Sequence, residues 1–325
     1  MILVTGATGH VGNTIIRDLL ENNKDVRAFV LKGESVEHIK NLPIEIVYGD
    51  LLDSESLYKA MIGCNIIIHT AALVSIGNKY TEKQIMNVNV NGFENLLKLA
   101  LKINIERIIY ISSIHAFNEL KRNKYIDEAT STIPKLNHSP YARSKAEALK
   151  LVRYFREKGM DISVLYPTGI TGPYDYLERN NTLEVIRHFI KSKSKKVYYF
   201  EGGYDFVDVR DVSKVSLKVL DSNIRNNEYI LSAGRISLLD IYEIISKYLN
   251  VSPKFIKIPI WLIRIGTNIA QVFAKIFKRK IDITPQAVNI LLSKCEIKTN
   301  KIKEEMNFRF ITIEKSVIDS LRFMI

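Results

Sequence analysis

The feature that most constrains this chain stands at its start. Residues 2–4 (Ile-Leu-Val) are a short apolar run, and Thr5-Gly6-Ala7-Thr8-Gly9-His10-Val11-Gly12 follows at once. An amphipathic helix of about residues 11–21 is expected next. Three glycines at this spacing, between strand and helix, suit a turn that wraps a phosphate. Gly6 can make the tight turn, Gly9 lets backbone approach a pyrophosphate, and Gly12 permits close helix–strand packing. The helix N-terminus adds free N–H groups and a positive dipole end. The spacing is GxxGxxG, not GxGxxG, and alone it also fits a purely structural turn. Directly after an N-terminal strand it points to a bound dinucleotide.

The next segments repeat the strand–helix alternation. Apolar strands are predicted at 26–31, 44–47, 65–68, 107–111 and 162–165. Helices are predicted at 54–61, with Ser54 as cap, at 81–101 and at 139–158. Continuously apolar strands joined by crossover helices imply a parallel sheet covered on both faces. The fold class is therefore α/β, a Rossmann-type doubly wound parallel sheet. Beyond residue 168, strands at 197–200 and 229–231 mix with helices at 212–220 and 238–249. This predicts a dinucleotide-binding domain of residues 1–168. Residues 169–325 would form a smaller mixed C-terminal substrate lobe, partly interleaved with the core sheet.

Charge and cysteines narrow the function classes. The net charge is +12, but the lysines are spread over many helices, so no nucleic-acid partner is expected. The run Lys191–Lys196 reads as a solvated helix end. Cys64 and Cys295 lack metal-ligand or disulfide spacing, so no metal is expected. No charged and apolar leader precedes the first strand, which suggests a cytoplasmic protein. Segment 258–277 is apolar at helical spacing but carries Arg264, Gln271 and Lys275, which argues against a transmembrane segment. A buried amphipathic helix is expected there. A membrane-surface helix helped by Lys278–Lys280, or a dimer or lid contact, are the alternatives.

The strongest chemical signal is Ser139-Pro140-Tyr141-Ala142-Arg143-Ser144-Lys145. Ser139 suits a helix cap and Pro140 the first helical position. Tyr141 and Lys145 then share one face, four residues apart. A nearby ammonium, a cationic nicotinamide and the helix N-terminus would all favour the phenolate, so Tyr141 could exchange a proton with a substrate oxygen. A bare Tyr-x-x-x-Lys also arises by chance on an ordinary helix. Here it follows the glycine turn and a strand ending in Ser112-Ser113.

These motifs, in this order, resemble the extended short-chain dehydrogenases/reductases, the NAD-dependent epimerase/dehydratase superfamily. Within it the chain is similar to dihydroflavonol-reductase-like and 3β-hydroxysteroid-dehydrogenase-like members. The resemblance continues in Gly49-Asp50-Leu51, His69-Thr70-Ala71-Ala72 and Asn89-Val90-Asn91-Gly92, and spans at least residues 1–215. It implies that Gly6, Thr8, Gly9, His10, Val11 and Gly12 cradle the cofactor. Asp50 and Leu51 would meet the adenine, and Thr70, Ala71 and Ala72 the ribose and phosphates. Asn89 is also placed with the cofactor. The catalytic residues implied are Ser113, Tyr141 and Lys145, with Lys145 also holding the nicotinamide ribose and Ser112 the alternative to Ser113. Tyr166, Pro167 and Thr168 would flank the nicotinamide, although the family usually has Arg where Tyr166 stands. Candidate substrate-pocket residues are His115, Phe117, Tyr174, Tyr176 and Tyr204.

The second strand ends without an acid for a ribose 2′-OH, and Lys32 could meet a 2′-phosphate. The expectation is NADP, with NAD the alternative. Family resemblance also implies a homodimer paired through the helices of 81–101 and 139–158.

Three functions are consistent with these residues. The first is an oxidoreductase acting on a carbonyl/alcohol pair of a small molecule. The second is a nucleotide-sugar epimerase or dehydratase with tightly held NAD. Such enzymes commonly have Arg where Tyr204 stands and Asn near Pro167-Thr168, so both departures favour the first. The third is a redox-sensing or binding protein on the same fold; those relatives typically lose the Tyr–Lys pair kept here.

Overall fold

The structure, a computed structural model, describes residues 1–74, 80–117, 125–132, 139–178, 180, 183–192, 196–277 and 285–325. Its central sheet is all parallel. Across it the strands run Glu45–Tyr48, Val26–Val30, Ile2–Thr5, Ile66–His69, Arg107–Ile111, Ile162–Pro167 and Glu228–Leu231. The chain first winds outwards from Ile2–Thr5, then crosses back to its other side at Ile66–His69. That reversal opens a crevice at the carboxyl ends of these two strands, where ligands of doubly wound sheets bind.

Each face of the sheet has its own apolar layer. On one face the helices Ser54–Met61, Phe93–Lys102 and Pro140–Glu157 bury Leu57, Phe93, Leu97, Leu149 and Val152. On the other, His10–Glu21 and Val209–Asp221 bury Ile15, Ile16, Leu19, Val212 and Val215. Such burial is worth about 1.5–3 kcal/mol per large side chain.

The lobe carries a mixed three-stranded sheet of Gly169–Thr171, Gly203–Asp208 and Gly234–Ser237. Leu183, Ile186, Phe206, Ile241, Ile245, Val317 and Leu321 form its core. The last helix, Ile313–Met324, is tied in by Ser316 to the Thr171 hydroxyl at 2.6 Å and by Ser320, which accepts the Gly172 N–H at 2.9 Å. Val209–Asp221 and Glu228–Leu231 return from the lobe to the central sheet.

Three local expectations are corrected. The cap of Ser54–Met61 is Asp53, whose carboxylate accepts the Glu55 N–H at 3.1 Å; Ser54 is already helical. The long helix expected at 81–101 is interrupted. Glu82–Met86 passes into a π-helical turn, Asn87–Gly92, before Phe93–Lys102. Gly92 sits against Leu51, where an added Cβ would lie 2.9 Å from the Leu51 Cβ. Third, the described part of the Ile260–Phe277 helix, up to residue 270, is not buried: Trp261, Leu262, Ile265 and Ile269 all face solvent. Lys193–Lys195 and Lys278–Lys280, parts of the two basic runs, lie outside the described residues.

Candidate active site

The glycine turn is shaped by backbone, with no room for side chains where it touches its neighbours. Gly6 has φ +68°, and a Cβ there would meet the Ala71 nitrogen at 2.7 Å. A Cβ on Gly12 would lie 2.2 Å from the Gly6 carbonyl oxygen. Gly9 caps the His10–Glu21 helix with backbone alone, so no side chain covers the first-turn amides of His10, Val11 and Gly12. This is a cradle for an anion at a helix N-terminus, and a dinucleotide pyrophosphate fits it.

Neighbouring side chains lock that cradle. Thr70 donates to the Thr5 carbonyl at 2.7 Å, joining the first and fourth strand ends. Half-buried Ala71 and Ala72 follow it along the crevice. Both ring nitrogens of His10 are taken up by protein atoms. Its Nε2 donates to the Pro173 carbonyl at 2.7 Å, and its Nδ1 accepts from Asn180 at 2.9 Å. Burial lowers its pKa, which suits this neutral tautomer. Asn13 donates to the Gly9 and Tyr174 carbonyls at 2.7 and 3.1 Å, so two helix residues staple the turn to segment 173–180.

Asn89 likewise differs from expectation. Its side chain is consumed by protein: Oδ1 accepts the Leu73 N–H at 2.8 Å, and Nδ2 donates to Leu73 O and to Ser144 Oγ at 3.1 and 3.0 Å. The π turn aims it there, a known use of such turns. It holds Ser144, the helix residue next to Lys145.

At the reaction end, Ser139 caps the Pro140–Glu157 helix by accepting the Ala142 N–H at 3.1 Å, with Pro140 at the first position. Tyr141 is 8% exposed and Lys145 2%. Lys145 Nζ lies 5.9 Å from the Tyr141 ring centre and donates to the Ile111 carbonyl at 3.0 Å and to Tyr110 Oη at 3.2 Å. Ser113, not Ser112, is the serine close enough to Tyr141 to favour its charged form, and its hydroxyl accepts the His115 N–H at 3.2 Å. Consecutive residues point to opposite sides as a strand ends, so only one can reach.

The electrostatics of the protein alone oppose the expectation of a phenolate. Burial pushes Tyr141 up to about 12, only partly countered by Ser113. Burial also pushes Lys145 down to about 7. Desolvation disfavours both charged forms. His69 is pushed to about 3 by burial and then by Lys145, and its Nδ1 pairs with Thr5 Oγ1 at 2.7 Å. It stacks on Phe93 and, less closely, on Tyr110, and those two rings stack on each other. His69 and Tyr110 thus form a floor under Lys145 that sequence reasoning missed. The signal was a tyrosine among the isoleucines of the strand Arg107–Ile111.

The pocket candidates divide. His115 meets Tyr141 edge-on and stacks on Tyr204, each with ring centres 6.0 Å apart, and its Nε2 lies 3.4 Å from Tyr204 Oη. Phe117 is instead core, 1% exposed and packed on Tyr166. Tyr174 and Tyr176 stand elsewhere, beside Phe323 and under Arg17, with Tyr176 stacked on His38. Tyr166 is also turned away from the crevice: its hydroxyl donates to Glu228 at 2.5 Å, tying two strands. Pro167 and Thr168 end that strand, and Thr168 donates through both N–H and hydroxyl to the Leu231 carbonyl.

At the adenosine end, Asp50 Oδ1 accepts the Leu52 N–H at 2.9 Å, and the Leu51 side chain is buried, leaving only its backbone for a ligand. Lys32 is exposed. Glu34, absent from the sequence expectation, accepts the Thr8 hydroxyl at 2.5 Å, while His38 Nε2 donates to the Thr8 carbonyl at 3.0 Å. An acid therefore does reach the glycine turn, from four residues beyond the end of the Val26–Val30 strand.

Known proteins are similar to this chain in sequence and fold. Residues 2–232 match the NAD-dependent epimerase/dehydratase family. A putative dihydroflavonol 4-reductase of Synechocystis is 32% identical over 263 residues, covering 80% of this chain and 75% of the relative. Sterol demethylase protein B of Methylococcus capsulatus is 31% identical over 241 residues, covering 74% and 72%. The crystal structure of gox2253 superposes with a TM-score of 0.84 at 27% identity, covering 100% of this chain and 97% of the other. A glycine cradle at the switch point, a Tyr–Lys pair beside it and a match over most of the chain converge. The chain belongs to the NAD-dependent epimerase/dehydratase family, as an NAD(P)-dependent enzyme of the extended short-chain dehydrogenase/reductase type.

Proposed function

We propose that the protein is a reductase or dehydrogenase of a carbonyl/alcohol pair, with Tyr141 as proton donor and acceptor. The observation that carries this reading is the buried Ser113–Tyr141–Lys145 group at the mouth of the crevice. When bound, the nicotinamide supplies the hydride and, once oxidised, a positive ring. Ser113 orients the substrate oxygen beside Tyr141. A phenol held neutral by burial keeps its proton for the developing alkoxide. Lys145, fixed by Tyr110 and Ile111, is within reach to stabilise the phenolate left behind.

Substrate class follows from the lining. Tyr204, stacked on His115, stands where the family's nucleotide-sugar enzymes commonly carry an Arg for the diphosphate. We infer an uncharged, largely apolar ring ketone or alcohol. The names of the Synechocystis and Methylococcus relatives agree with that class.

For the cofactor, Glu34 argues for NAD against the NADP expected from Lys32. A carboxylate on Thr8 would accept a ribose 2′-OH and repel a 2′-phosphate. An exposed lysine offsets roughly 1 kcal/mol or less. We also propose a homodimer through the helices 82–102 and 140–157, whose outer faces leave Leu101 and Tyr154 in solvent.

The test is Tyr141→Phe. Turnover of a ring-ketone panel should fall roughly 10²–10⁴-fold, with NADH affinity by calorimetry unchanged. Undiminished turnover would remove Tyr141 from the reaction.

A further inference from the structure

The Ile260–Phe277 helix shows water a face that folding usually hides. Trp261 is 61% exposed, Ile269 52%, Ile265 50% and Leu262 43%. These positions fall on one side of a helix. Thr267 is buried, and Ile263 and Ala270 are half-buried, so a separate, narrower face holds the helix to the protein. Single exposed apolar residues are ordinary; a contiguous row marks an interaction surface.

Charge identifies the occupant. Residues 251–281 contain seven Lys or Arg and no Asp or Glu. Arg264 flanks the apolar row and is exposed, as is Lys254 on the preceding strand. That strand, Lys254–Lys257, pairs with Lys196–Tyr199, where Lys196 stands opposite Lys254 and Tyr198 is 56% exposed. Lys257 is paired with Glu201. A second copy of this chain would bring the same basic face, and like charges would oppose the contact. An anionic surface complements it. The row occupies the first half of a helix about 27 Å long; among the described residues no helix is long and apolar enough to cross a bilayer. A basic amphipathic helix with Trp and Tyr at its edge is suited to lie in the headgroup plane.

We propose that the Ile260–Phe277 helix docks the enzyme flat on an anionic lipid surface. Trp261, Leu262, Ile265 and Ile269 enter the acyl boundary, and Arg264 and Lys254 beside them meet the headgroups. This stands on the helix itself and does not depend on which substrate the crevice takes.

Trp261 is the only tryptophan in the chain, so its emission reports on this face alone. The full-length protein is mixed with vesicles of phosphatidylcholine, or of phosphatidylcholine with phosphatidylglycerol. Emission should shift to the blue and the protein should sediment with the mixed vesicles, less so as salt rises. Ile265→Asp/Ile269→Asp should stay in the supernatant while binding NADH as the wild type does. Arg264→Gln, a milder change, should bind the mixed vesicles roughly fivefold more weakly. Wild-type protein that stays in the supernatant with unshifted emission overturns the proposal. So does emission already blue without lipid in a dimer that the double variant splits, which would assign the face to a second copy.

Discussion

The two ends of the crevice are built on different principles. At the glycine turn the ligand surface is backbone, and the decisive side chains are those that are missing: a Cβ on Gly12 would sit 2.2 Å from a carbonyl oxygen. The side chains nearby, His10, Asn13 and Thr70, act on the protein's own carbonyls. At the Tyr141 end, the backbone is ordinary helix and strand, and the chemistry resides in side chains sealed from water. Shape governs the first end and desolvation the second. Substitutions should therefore separate: those at the turn should cost affinity, and those at the Tyr141 end should cost rate.

Lys145→Met tests this most strongly. Turnover should drop on the order of 10²-fold or more, with cofactor affinity reduced far less. The same variant reads out desolvation. Lys145 has a folded pKa of about 7 against an ordinary value of 10.5. Between those two values the unfolded chain binds a proton that the folded protein does not. Wild-type stability from this group should therefore rise with pH across that window, by about 1.4 kcal/mol per unit. The methionine variant lacks this term, so the stability of the wild type relative to the variant should rise from pH 7 towards 10.5 in urea titrations. A parallel pH dependence would show Lys145 to be solvated. Gly12→Ala should do the opposite to function. Overpacking costs about 1–3 kcal/mol of stability, and NADH affinity should fall at least as much as turnover at saturating cofactor. Unchanged affinity by calorimetry would sink the cradle.

The same division explains what could be read from the sequence. The turn, the strand Arg107–Ile111 and the Tyr141–Lys145 spacing are local patterns, and a local period fixes them. Asn89 belongs to a legible motif, yet its partners Leu73 and Ser144 lie 16 and 55 residues away, so its task was not legible. Tyr174, Tyr176 and Phe117 looked alike as aromatics near motifs. Only packing shows that Phe117 is core and that the two tyrosines stand by Arg17. Helical period announced the 260–277 helix but could not say that nothing among the described residues covers Trp261. Periodicity records that a face is apolar, not what meets it.

Glu34 joins the two principles, because it is a side chain acting at the backbone end. Its carboxylate holds the Thr8 hydroxyl at 2.5 Å, inside the turn that selects for shape. If shape alone ruled there, replacing it would leave cofactor choice untouched. If its charge sets the choice, Glu34→Gln keeps the size and one acceptor oxygen but removes the repulsion towards a 2′-phosphate. The ratio of NADH to NADPH affinity should then fall roughly tenfold, the scale of one charge-assisted hydrogen bond. Thr8 would keep a partner, so stability should change little. A ratio that stays fixed, with Lys32→Glu then weakening NADPH alone, would return cofactor choice to the exposed lysine and make the glycine end a matter of backbone only.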